Sequence, residues 1–154
     1  MSTHNFDKPV LQQEPALEVD RDRALFNAGE LVLVERAACV AEELVNNFFK
    51  LSSSQWLKNR YDIQTAKDLA PHEILDGPFA QVVKYEGRRM DVPFGSSSFS
   101  FYKVCVQDRA ILDTVRNQSL QLEPFLIYIL THELVHVVRF FKFKQRYDQK
   151  NESD

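Results

Sequence analysis

Residues 125–143 read FLIYILTHELVHVVRFFKF, and the way this stretch folds decides the rest of the chain. Pro124 stands just before it, where the first turn of a helix tolerates a residue without an N–H. The stretch is apolar on most sides but carries Thr131, His132, Glu133, His136, Arg139 and Lys142. That is too polar for a membrane span and reads as a core helix, running from Pro124 to about Gln145.

Working outward from it, Asp108 is placed to cap a preceding helix that bears Ala110, Ile111, Leu112 and Val115, with Asn117 to Leu122 as connector. Before that, Phe99 to Val106 (FSFYKVCV) has the aromatic and β-branched texture of a strand. Phe79 to Tyr85 reads as another strand, Glu86–Gly87 as a turn, and Arg88 to Val92 as the return strand. Pro93, Gly95 and Ser96 to Ser98 form a loop, as do Pro71, Asp76, Gly77 and Pro78.

The first third is helical. Asn27 can accept from the first turn and Glu30 can return the bond as a capping box. Leu31, Val34, Ala38, Ala41, Val45 and Phe48 then recur at helical spacing, which predicts a helix from about Ala28 to Lys50. Ser52, Ser53 and Ser54 end it and introduce a shorter helix carrying Trp56, Leu57 and Tyr61, with a further turn at Ala66–Leu69. Helices, a small sheet and helices again make an α+β domain at 27–146. Residues 1–26, with Pro9 and Pro15, read as an N-terminal arm, and 147–154 as a polar tail.

Composition bounds the function. The 154 residues suffice for one core, with 44% hydrophobic and 27% charged residues arguing against disorder. A net charge of −3 leaves no overall electrostatic footprint for nucleic acid. No basic start is followed by an apolar run near Met1, and Cys39 and Cys105 form no CxxC pair. The expectation is a cytoplasmic protein with free thiols.

His132 and His136 carry the chemistry. Four residues turn a helix by about 400°, so both side chains share a face one turn apart and can converge on one metal ion. Neutral imidazoles suit zinc, which acidifies a bound water towards a pKa of about 7. Glu133 projects beside the pair, placed to take that proton without ligating the metal.

The apolar flanks sharpen this. Ile129 and Leu130 precede the motif, Leu134 and Val135 fill it, and Val137 and Val138 follow. In these roughly ten residues the chain resembles the active-site helix of the zincin metallopeptidases. The resemblance implies a zincin-like fold, helices on a small mixed or antiparallel sheet, with a C-terminal active-site helix. It also implies Zn2+ as cofactor, a peptide or protein as substrate, His132 and His136 as metal ligands, and Glu133 as general base. In that family an edge strand upstream lines the cleft, a role that falls by position to Phe99–Val106. Nucleic acid and membrane surfaces are not expected as partners.

The third ligand departs from the pattern. Metzincins continue to a glycine and a third histidine, and here those positions hold Arg139 and Lys142. Gluzincins draw a glutamate from a following helix. Glu152 would serve if the chain reversed soon after Phe143, and Asp148 faces the same demand. His72 and a ligand from beyond this chain also stand open. A di-iron bundle would need a second ExxH, which does not occur. Of the weaker signals, Phe140, Phe141 and Phe143 read as a continued core face, with basic neighbours complementing the helix C-terminus. Tyr128 reads as a core residue one turn before His132, and Tyr147 as a packing aromatic. The alternative to an enzyme is a non-catalytic zincin-like domain that binds metal or a partner.

Overall fold

Asn27 and Glu30 form the reciprocal cap that their spacing predicts. The Asn27 side chain accepts from the Glu30 amide at 2.8 Å, and the Glu30 carboxylate accepts from the Asn27 amide at 2.9 Å. Helix α1 follows from Ala28 to Phe49 and stops at Lys50, which takes a left-handed conformation with φ of 54°. The computed structural model describes residues 25–88 and 98–152, with side chains at 25–57, 59–86 and 101–143. Most of the N-terminal arm, the greater part of the return strand at 88–92 and the 93–97 loop lie outside those residues.

Past α1, the short helix α2 (Ser53–Lys58) gives way to strand β1 (Asn59–Gln64). Tyr61 is therefore on a strand instead of the predicted helix. Its hydroxyl donates to the Glu42 carboxylate on α1, and Trp56 Nε1 donates to the Asn46 side chain. The predicted turn near Ala66 is a single 3-10 turn, Ala66–Asp68, and a second covers Pro71–Glu73. Strand β2 (Ala80–Arg88) runs straight through the expected Glu86–Gly87 turn, and strand β3 (Ser98–Val106) pairs antiparallel with it. Helix α3 (Asp108–Gln118) and helix α4 (Leu122–Glu152) complete an α+β fold. Helix α4 continues beyond the predicted end at Gln145 and takes up most of the expected tail.

The sheet order is β1-β3-β2, with β1 parallel to β3. Phe99–Val106 is thus the centre of the sheet, hydrogen-bonded on both sides. The cleft-edge role assigned to it is wrong, because a strand paired on both flanks has no free backbone groups to offer. The edges are β1 and the antiparallel β2.

Alternation along β3 sends Tyr102, Val104 and Val106 into the core, all fully buried. Ala37, Ala41 and Val45 of α1 and Leu126, Leu130, Leu134, Val137 and Val138 of α4 join them in the same apolar cluster. Small alanines on α1 let the two helices pack closely along their length. The segment Leu122–Phe143 is long and apolar enough to cross a membrane by length and composition. In this fold 39% of that apolar window is buried.

Two polar anchors hold the connections. Asp108 begins α3 without capping it. Its buried carboxylate instead accepts from the amides of Phe26 and Ala66, each at 2.9 Å, joining three distant segments. Glu73, 2% exposed, accepts from Lys103 Nζ at 2.7 Å, the Tyr85 hydroxyl at 2.6 Å and the Ala70 amide at 2.8 Å. The lysine, the tyrosine and the amide, in that order, hold its carboxyl down at about 2, from an ordinary value of 4.5. The same bond pushes Tyr85 up to about 12.

A lowered folded-state value means that the charged carboxylate stabilises the native state. That contribution is complete above about pH 4.5 and is lost as pH falls towards 2. Acid unfolding followed by circular dichroism should therefore be less steep over this window in Glu73→Gln than in wild type, although the variant is less stable at neutral pH.

Candidate metal centre

Helix α4 presents His132 and His136 with their Nε2 atoms 3.0 Å apart. The rings meet nearly edge to face, with centroids 4.7 Å apart and an interplanar angle of 80°. At this separation one imidazole N–H donates to the other ring nitrogen, which holds the two side chains together. Two nitrogens bound tetrahedrally to zinc at about 2.0–2.1 Å stand about 3.4 Å apart. The observed pair needs to open by only a few tenths of an ångström, so these two residues fit the ion.

Protonation suits the same role. His136 is partly buried, and burial, followed by the neighbouring His132 and Arg139, lowers its pKa from 6.5. It therefore keeps a free lone pair at neutral pH. Glu133, next to His132 on the helix, is half-buried. Burial raises its carboxyl above the usual range, with His132 opposing the rise.

Strand β2 also packs against α4. Near its start, Phe79 meets Phe125 edge to face at 5.1 Å. Further along, Lys84 is the register partner of Tyr102, whose ring stacks on Phe140 at 6.4 Å. Phe125 and Phe140 bracket the two histidines in sequence. These ring contacts tie α4 to the start of β2 and to the central strand.

The aromatic neighbours depart from expectation. Tyr128 is 67% exposed and not core, 6.5 Å from the His132 ring. Phe140 is 50% and Phe143 73% exposed, while Phe141 alone of these three phenylalanines is buried. Lys142 lies over the Phe49 ring at 5.0 Å. Tyr128, His132, His136 and Phe140 therefore form one ring per turn along α4. The i, i+4 spacing was present in the sequence, but reading the phenylalanines as one core face concealed it.

Glu152 does not join the pair. The reversal it requires after Phe143 does not occur, since α4 is unbroken to Glu152. Sixteen residues at 1.5 Å each put it about 24 Å along the helix from His136. The same continuity removes Asp148, at about 18 Å. His72 is exposed on the Pro71–Glu73 turn. Among the described residues no three His, Cys, Asp or Glu side chains are grouped to hold a metal.

Comparison with protein-family models, curated proteins and solved structures finds no match to the chain. What the site does must be read from its own side chains.

Proposed function

We propose that the chain is a zinc-dependent metallopeptidase of zincin-like architecture. The observation that supports it best is the 3.0 Å convergence of His132 and His136 with Glu133 beside them on one helix. The position of β2 adds to it, because an antiparallel edge strand along the helix offers free backbone groups to an extended peptide.

His132 and His136 would hold the ion, with a further ligand from outside the described residues. Bound zinc supplies a Lewis acid for the scissile carbonyl. Glu133 takes a proton from the attacking water and delivers it to the leaving amine nitrogen, so that water is divided between the two products. Its half-buried carboxyl, less acidic than a solvated one, suits that exchange near neutral pH. The β2 edge aligns the peptide backbone.

A non-catalytic metal- or partner-binding domain is the second reading. What favours it is that the described residues supply two ligands and not three. Metal analysis of the purified protein tests the site itself. Wild type is expected to carry near-stoichiometric zinc, and His132→Ala and His136→Ala to lose it. Unchanged zinc in His132→Ala would remove the site. Zinc retained with no hydrolysis of any peptide would favour the second reading.

A further inference from the structure

Strand β1 forms one edge of the sheet and pairs with β3 along a single flank. Among the described residues, the backbone groups of Arg60 to Ile63 have no hydrogen-bond partner beyond β3. Tyr61 turns towards α1, where Glu42 accepts its hydroxyl. Arg60 and Asp62 therefore share the opposite face, and both are exposed.

Neither charge is neutralised within the described residues. Arg60 stands opposite Phe101 in the β3 register and has no ion-pair partner there. Asp62 stands opposite Lys103, but the buried Glu73 takes that ammonium at 2.7 Å. Asp62 accepts instead from the Gln64 amide Nε2 at 2.8 Å. The other edge differs, since Lys84 and Glu86 on β2 have the same i, i+2 spacing and pair with each other at 3.2 Å. Edge strands are commonly blunted by charge, because like charges set opposite each other repel a second strand. β1 has one charge of each sign on either side of Tyr61, which is self-complementary. An antiparallel copy centred on Tyr61 sets Arg60 opposite the second copy's Asp62, and Asp62 opposite its Arg60.

We propose that the β1 edge is a homodimer interface, in which β1 pairs antiparallel with β1 of a second copy about a two-fold axis at Tyr61. Two three-stranded sheets then become one continuous sheet of six strands. Main-chain hydrogen bonds join the strands, and the two symmetric ion pairs fix their register. The β2 edges lie at the outer ends of that sheet, free for an extended peptide. No metal enters the interface, so the dimer does not depend on the metallopeptidase reading.

Light scattering on the full chain at about 100 µM should give twice the chain mass of 17.9 kDa. Arg60→Glu sets two acidic side chains against each other across the edge, and Asp62→Arg sets two basic ones. Each variant alone should therefore dimerise at least about tenfold more weakly than wild type. Mixed together, the two variants should dimerise as wild type does, because every opposed pair again has unlike charges. A chain carrying both substitutions should recover the dimer for the same reason. That chain decides the matter if circular dichroism shows that either single variant folds poorly. A monomeric wild type at this concentration would overturn the proposal. So would a dimer that both single variants retain in full, or a failure to recover it in the mixture of folded variants or in the doubly substituted chain.

Discussion

Glu133→Gln is expected to slow peptide cleavage by about 10²–10⁴-fold while zinc content stays at the wild-type level. The substitution keeps the size and planar shape of the side chain, so helix α4 and the two histidines should be undisturbed. What it removes is the oxygen that accepts a proton from water and gives it up again. Glutamine can orient a water molecule but cannot exchange that proton with it. Glu133 is half-buried, and burial is the main reason its carboxyl is less acidic than usual. A base of that kind loses less driving force at neutral pH than a fully solvated carboxylate. Casein hydrolysis and metal analysis on the same preparation check both halves. Activity within threefold of wild type would remove Glu133 from the role of base, whatever the metal content.

Leu134→Ala should be the most damaging single change within the motif to stability, at about 2–5 kcal/mol. Leu134 is fully buried, on the face of α4 that joins the shared core with Ala37, Ala41 and Val45 of α1. Truncation removes its buried methyl groups and leaves a cavity between packed helices that cannot close without moving α4. For a chain of this length each kcal/mol lowers Tm by about 2–4 °C, so calorimetry should record a fall of roughly 4–20 °C. Zinc should raise the Tm of both the variant and wild type, since binding at the histidines stabilises whichever native state remains. A shift below 2 °C would mean that Leu134 is not the anchor that its burial indicates. Neighbouring residues are thereby told apart. Glu133→Gln is expected to remove hydrolysis from an intact helix, and Leu134→Ala to loosen the helix beneath an intact histidine pair.

Helix α1 could be read from the chain because local signals agree there. Asn27 and Glu30 cap it and the apolar spacing holds from Leu31 to Val45, although Phe48, expected on the same stripe, is 79% exposed. The His132–His136 pair was equally legible, since i, i+4 geometry belongs to any helix. The sheet was not. Asn59–Gln64 offers two inward apolar residues, Tyr61 and Ile63, too few to separate a strand from the helix before it. Its partner is 41 residues away across a parallel pairing that no turn residue announces. Phe99–Val106 was recognisable as a strand, but whether a strand is central or at an edge depends on its neighbours and not on its own composition. Asp108 misled for a related reason. A carboxylate before a helix suggests a local cap, whereas this one bonds to the amides of Phe26 and Ala66. The length of α4 was missed because Gln145 to Glu152 carries no apolar periodicity to mark it.

The central place of β3 has a consequence for how the protein comes into being on the ribosome. β1 is synthesised early, but its partner is not complete until Val106, 42 residues after Gln64. At about 5–20 residues per second that is a wait of about 2–8 s. α1 waits longer still, because the helix it packs against starts at Leu122. Nascent chains that stop short of α4 leave the inner face of α1 uncovered and are candidates for chaperone capture. The histidine pair rides on that same late helix, so no peptidase activity is expected from a partly made chain.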